Sequence, residues 1–226
     1  MNVAVLFSGG KDSTMAIYNA LKSGHDVKYL LSVKSYNDES YMFHVPNIHL
    51  TDLLAEAMNI SIINVETDGV KEEELQDLKR GFIKLKSLGI ECIYTGALYS
   101  VYQKSRIEQL GDELDLQIIS PYWHVDELEY MQMIVSLGFK VIICGVSAYG
   151  LDEKWLGRLI DYDCINDLVK LNDKVGINIA FEGGEAETLV IDGPIFEKRV
   201  KILKNKKKWN HDSGVYVIED VILEDK

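Results

Sequence analysis

The chain opens Met1-Asn2-Val3-Ala4-Val5-Leu6-Phe7 and passes without a break into Ser8-Gly9-Gly10-Lys11-Asp12-Ser13. A short Val-rich apolar run reads as a buried parallel strand. Residues 12–22 then carry Met15, Ala16 and Ala20 at helical spacing before Gly24 closes the segment. The paired glycines therefore fall between a strand and a helix N-terminus. Backbone N–H groups freed there, together with the positive end of the helix dipole, form a nest for a multiply charged anion. Lys11 adds a point charge, Ser8 and Ser13 add hydroxyls, and Asp12 can hold a cation that accompanies the anion. The stretch reads as a phosphate site with magnesium close by. It is not a Walker loop, whose glycines are separated and end in Gly-Lys-Ser/Thr, and it lacks the Gly-x-Gly-x-x-Gly dinucleotide spacing.

Beyond this loop, strands are expected at about 2–7, 27–33, 60–65 and 91–95, alternating with helices at about 12–23, 49–58, 70–88 and 100–114, with a short strand at 117–119. Such alternation builds a doubly wound parallel sheet whose ligands bind outside the carboxyl ends of the strands. That edge collects the Ser8 loop, the segment after Val33 and the turn at Thr95-Gly96-Ala97. Pro121-Tyr122-Trp123 marks a boundary, giving domains at 1–122 and 123–226. The second half is expected to hold a helix at 126–136, a strand at 139–145, a helical stretch at 152–173, and strands at 178–181, 188–191, 198–203 and 214–223. This describes a smaller α+β domain ending in a β-ribbon.

With 226 residues, 47% of them apolar, and three prolines, the chain can bury a full core. No apolar run approaches the ~18 residues of a membrane-spanning helix, and no basic leader precedes the first strand. Cys92, Cys144 and Cys164 are scattered and odd in number, which suits reduced core thiols in a cytoplasmic protein. The net charge of −12 argues against a general nucleic-acid binder. A local exception runs from Lys198 to Lys208, read either as a solvated turn between two strands or as a docking patch for an acidic or RNA-bearing partner.

Three further segments can carry chemistry. In Glu182-Gly183-Gly184-Glu185-Ala186-Glu187-Thr188 the glycines allow close approach of a ligand. If Glu185 opens an extended segment, Glu185 and Glu187 share a face, an arrangement suited to a general base or a cation site. The same pattern also fits a solvated acidic hairpin. Gly96 to Glu108 opens a helix just past the fourth strand and sets Tyr102 and Arg106 four apart on one face, as it does Lys104 and Glu108. A salt-bridged surface helix is the alternative there. Ser40 to Pro46 places His44 in an aromatic loop, where a histidine is more often packed or exposed than catalytic.

The Ser-Gly-Gly-Lys-Asp-Ser loop resembles the pyrophosphate loop of the N-type ATP pyrophosphatases. Taken in order with Ser40–His44, Gly96–Glu108, Ser120–Trp123, Tyr149–Asp152 with Leu156–Arg158, and Gly183–Pro194, the whole series resembles the diphthine–ammonia ligase family. Glu-Gly-Gly-Glu-Ala-Glu-Thr-Leu is its most specific piece. Many relatives carry cysteine–glycine–glutamate near Glu182–Glu185, so a role for that cysteine does not transfer to this chain.

The resemblance implies an adenine nucleotide alpha hydrolase-like first domain and amidation of diphthine on elongation factor 2, through an acyl-adenylate and free ammonia, with AMP and pyrophosphate released. It implies ATP bound by Ser8, Gly9, Gly10, Lys11, Asp12, Ser13 and Gly96, with Mg2+ on Asp12. Lys11, Asp12, Glu185 and Glu187 would be catalytic. His44, Tyr102, Gln103, Arg106, Trp123, Asp152 and Thr188 would face the substrate. Its trimethylammonium group would be attracted by acidic and aromatic side chains, for which Trp123, Tyr102 and Glu185 are the candidates on chemical grounds and not through the resemblance. The expected partners are elongation factor 2 and ammonium, with no membrane and no direct nucleic acid, and a homo-oligomer is left open. Adenylation of another substrate in small-metabolite amidation or tRNA modification, and a non-catalytic nucleotide sensor, are the competing readings.

Overall fold

The computed structural model describes residues 1–35, 46–68 and 73–226, with the side chain of Glu73 excepted. Residues Met1–Ser8 and Asp12–Trp123 form one compact unit, and Gly9–Lys11 with His124–Lys226 form a second.

The first unit is built on five parallel strands in the order β3-β2-β1-β4-β5: β1 (Asn2–Leu6), β2 (Asp26–Ser35), β3 (Ser61–Thr67), β4 (Cys92–Tyr94) and β5 (Gln117–Ile119). β1 is central, and its Val3, Ala4 and Val5 are fully buried, which is why this strand reads as a continuous apolar run. Helices α1 (Lys11–Lys22), α2 (Thr51–Ala57), α3 (Glu73–Ser87) and α4 (Val101–Leu114) make the crossovers. Right-handed connections on this strand order send α1 and α2 to one face and α3 and α4 to the other. Leu78, Phe82 and Leu85 of α3 and Ile107 and Leu110 of α4 join Leu31, Ile63 and Ile93 of the strands in one buried cluster. The doubly wound α/β sheet expected from the sequence is present. Its order reverses between β1 and β4, so the loops leaving these two strands flank the crevice where such sheets take ligands.

The second unit holds an antiparallel sheet in the order β7-β6-β9-β8, with β6 (Lys140–Val146), β7 (Ala186–Asp192), β8 (Lys198–Asn210) and β9 (Ser213–Asp225). Helices α5 (Glu127–Ser136) and α6 (Tyr162–Val175) contribute Tyr130, Met131, Ile134, Cys164, Ile165 and Leu168 to its core. Asp126 and Asp161 cap these helices through the backbone N–H groups of Glu129 and Cys164.

Three expectations for this half need correction. The helical stretch at 152–173 is a single 3-10 turn at Glu153–Trp155 followed by an extended segment, and α6 starts only at Tyr162. Gly157, at φ +76°, breaks any continuous helix there. The strand expected at 178–181 is a turn, in which Phe181 N–H donates to Asn178 O at 3.1 Å. The basic run is not a turn either, since Lys198–Asn210 is one long strand paired along its length with β9.

All three cysteines are free and buried. Burial pushes the Cys92 and Cys164 thiols up to about 11, leaving them protonated at neutral pH. Among the described residues no helix is long and apolar enough to cross a membrane.

Candidate active site

The loop after β1 owes its shape to Gly9, which sits at φ +84°, a conformation that disfavours any residue with a Cβ. α1 starts two residues later, which sets the positive end of its dipole beside this loop. Ser8 N–H donates to Ser13 Oγ at 3.3 Å, and the two hydroxyls are also 3.3 Å apart, so the serines clasp the loop onto the helix. The turn after β4 abuts the same helix end. A Cβ on Gly96 would lie 2.6 Å from the Asp12 carbonyl carbon and 2.7 Å from Ser13 N. Glycine at 96 is thus a packing requirement of the α1 N-terminus.

Within the second unit, Gly9–Lys11 run against β7. Val190 N–H donates to Gly9 O at 3.0 Å, and Lys11 N–H donates to Thr188 Oγ1 at 3.1 Å. Lys11 is only 3% exposed, and its Nζ lies 5.8 Å from the centroid of the Phe181 ring. Phe181 itself holds φ +66°. A bulky residue in the left-handed region is costly and persists where surrounding contacts enforce it, most often at functional sites.

Those contacts are visible. Glu185 folds its carboxylate back onto the loop before it, Oε1 accepting from Asn178 N–H at 3.1 Å and Oε2 from Gly183 N–H at 2.8 Å. Asn178 Oδ1 accepts from the N–H groups of Ala180 and Glu182, while its amide donates to Glu127 Oε1 at 2.6 Å. The other oxygen of Glu127 accepts from Ile179 N–H. Ser147 Oγ donates to Gly184 O at 2.6 Å, and Ser147 N–H to Glu185 O. The loop from Asn178 to Glu185 is thus held along its length by neutral bonds from Asn178 and Ser147 and by charge-assisted bonds to Glu127 and Glu185.

β7 starts at Ala186, one residue after Glu185, so the alternation expected to align Glu185 with Glu187 on one strand face does not apply. Glu187 is exposed on the strand, and Glu185 is spent on its loop. Asp152 is exposed and caps the 3-10 turn through Lys154 N–H. In the first unit, Ser100 caps α4 by accepting from Gln103 N–H. The Arg106 guanidinium stacks 3.6 Å from the Tyr102 ring centroid, and Lys104, paired with Glu108, sits 4.9 Å from the Trp123 ring. His44 lies outside the described residues.

Two family models divide the chain. The diphthamide synthase N-terminal domain matches residues 1–118, and the diphthamide synthase C-terminal domain matches 126–223. The chain belongs to the diphthamide synthase family. Among curated relatives, the diphthine–ammonia ligase of Bos taurus is 31% identical over 238 residues, covering 96% of this chain and 88% of its own length. That of Homo sapiens is 30% identical over 222 residues, covering 88% and 82%. The Schizosaccharomyces pombe enzyme is 31% identical over 231 residues, but this chain spans only 38% of it.

For a diphthamide synthase, the residues that sequence reasoning passed over are those bracing the glycine loop: Glu127, Ser147, Asn178 and Phe181. Glu127 carries little signal, because an acid in the first turn of a helix reads as a dipole partner. Asn178 was hidden inside an apolar segment that resembled a strand. Phe181 immediately precedes the acidic motif, and nothing in the sequence marks its backbone conformation.

Proposed function

We propose that this chain converts the diphthine carboxylate of elongation factor 2 into the diphthamide carboxamide, consuming ATP and free ammonia and releasing AMP and pyrophosphate. The observation that carries this reading is the glycine nest at the strand-order reversal, joined to α1 and flanked by Gly96, in a chain of the diphthamide synthase family. A carboxylate is a poor acyl donor, so its oxygen must first become part of a good leaving group. ATP supplies that group when the carboxylate attacks the α-phosphorus and forms an acyl-adenylate. Ammonia then displaces AMP at the acyl carbon.

The residues present fit a triphosphate. The left-handed Gly9 and the positive end of the α1 dipole suit an anion, the Ser8 and Ser13 hydroxyls line the same turn, and Gly96 keeps side-chain bulk away from the helix end. Lys11 acts on the departing pyrophosphate, and because it is nearly buried its charge is weakly screened. Among the described residues no cluster of three or more His, Cys, Asp or Glu side chains forms a metal site. Mg2+ would be held by Asp12 together with phosphate oxygens, where it would supply charge neutralisation of the leaving group.

The domains at 1–122 and 123–226 divide nucleotide binding from substrate handling. On the substrate side, Glu187 is the candidate proton acceptor for ammonia, and Glu185 keeps the loop in shape beside it. Thr188 fixes the start of α1 through Lys11 N–H. Tyr102 and Trp123 remain the aromatic candidates for the trimethylammonium group, which at either ring would displace Arg106 or Lys104. His44, Gln103, Arg106 and Asp152 complete the set. Three free, buried cysteines suit the cytoplasm, a reducing compartment.

The test is incubation with diphthine-bearing elongation factor 2, ATP and ammonium, followed by mass spectrometry of the modified histidine. Formation of the carboxamide with stoichiometric AMP is expected. An unchanged carboxylate would refute the assignment.

A further inference from the structure

The basic run between Lys198 and Lys208 is a strand with two distinct faces. Val200, which is buried, is paired with Leu223, and Ile202 with Val221, and the last three are half-buried, so these four residues make the inner face of the ribbon. The intervening residues point away from it. Arg199 and Lys201 both reach Glu224, at 3.1 and 2.5 Å, and Lys204 reaches Glu219 at 2.7 Å, so these five side chains share the outer face of the ribbon. Past the register shift, Lys206 and Lys208 fall in phase with Lys204, opposite Val217 and Val215. Consistent with that placement, Lys206 and Lys208 join Lys204 in holding the Glu219 carboxyl below its ordinary range. Lys207 turns the other way and donates to Glu153 O, and the Trp209 ring lies over Gly214.

The outer face thus carries Arg199, Lys201, Lys204, Lys206 and Lys208 against Glu219, Asp220 and Glu224, a net positive strip on a chain whose total is −12. Exposed aliphatic surface interrupts it. Ile222, paired with Lys201, is 42% exposed, and Leu203 at the register shift is 50% exposed. Lysines on an edge strand also discourage strand addition, but one or two charges suffice for that, and here five point from the face. A mixture of aliphatic and charged groups is the make-up of a protein–protein contact. A single-stranded RNA platform would present aromatic rings for base stacking, and in this ribbon Trp209 and Tyr216 are on the other face.

We propose that the outer face of the β8–β9 ribbon docks an acidic surface of the protein substrate. The proposal rests on the amidation reading above, in which the reacting group is one side chain of a macromolecule and most of the binding must come from elsewhere on it. The lysines steer and register that macromolecule, and the ATP site is untouched by them.

Lys206→Glu with Lys208→Glu in the full chain tests this, both residues lying outside the ion pairs named above. Lys84→Glu with Lys174→Glu, exposed elsewhere, makes the same change in net charge. Binding of diphthine-bearing elongation factor 2 is followed by fluorescence anisotropy at low and high salt, beside its KM in amidation. The ribbon variant is expected to raise Kd and KM about tenfold at low salt, with the gap narrowing as salt rises and with kcat and the KM for ATP unchanged. The control pair should leave both constants near wild type. Equal constants in the ribbon variant, or an equal rise in the control pair, would overturn the docking face. Normal amidation with an unshifted KM in the ribbon variant refutes the docking face alone. Binding that depends on these lysines without any amide formation refutes the reaction alone.

Discussion

Glu185 and Glu187 stand two apart in a motif that looks symmetrical on paper, and their surroundings separate them. Both oxygens of Glu185 accept backbone N–H groups, from Asn178 and Gly183. Glu185→Gln turns one of those oxygens into an NH2 group facing an N–H, which costs about 1–3 kcal/mol of local stability and loosens the loop that holds Phe181 near Lys11. Glu187 is exposed on β7, and Glu187→Gln keeps its shape while removing its basicity. The expected outcome is a split. Glu187→Gln binds ATP normally but loses about 10²-fold in amide formation, the usual scale for a missing general base. Glu185→Gln lowers the melting temperature as well as the rate. Thermal unfolding and amide yield, measured together, decide it, and identical behaviour of the two variants would remove Glu187 from the acceptor side. At this scale the sequence marked both acids but gave no means to rank them, because the ranking depends on where Asn178 and Gly183 place their N–H groups.

At the scale of elements, the legible parts are those whose pattern answers to one force. The central strands β1 and β4 stand out because burial on both faces demands continuous apolar runs, and the amphipathic helices between the strands follow a single period. The turn at Asn178–Phe181 did not stand out, because Ile177, Ile179, Ala180 and Phe181 are all buried without forming a strand, held by side-chain bonds that no period encodes. The extended stretch before α6 was hidden for a similar reason, one left-handed glycine at 157 interrupting an otherwise helical composition. Gly96 belongs with the readable elements, but its reason is steric and local. A methyl group there would meet the backbone of Asp12 and Ser13 inside normal contact distance. Gly96→Ala should displace the α1 N-terminus, costing about 1–3 kcal/mol as overpacking usually does, and should weaken ATP binding with it. Isothermal titration with ATP measures the second effect. Retained affinity in a destabilised variant would mean that the helix end does not contact the nucleotide.

For the whole molecule, the competing readings differ in which half-reactions they allow. An enzyme that adenylates a carboxylate before ammonia arrives can run that first half backwards. Labelled pyrophosphate should therefore enter ATP in the presence of diphthine-bearing elongation factor 2 with no ammonium added. A nucleotide sensor supports no such exchange, and a kinase-like loop would yield ADP. The loop geometry favours the first outcome. On the proposed reading, the helix dipole and the left-handed Gly9 would face the leaving phosphates, and Lys11, nearly buried, would supply charge without needing to be drawn from solvent. Adding ammonium should then divert the adenylate to amide, so that exchange falls as AMP accumulates. Lys11→Met, close in volume and without charge, should abolish exchange and amide formation together, because it acts before the two paths divide. Glu187→Gln should leave exchange near wild type while amide formation is lost, because it acts after. Exchange that requires ammonium would mean that the amine attacks in concert with adenylation. Exchange unaffected by Lys11→Met would remove the loop lysine from the leaving group.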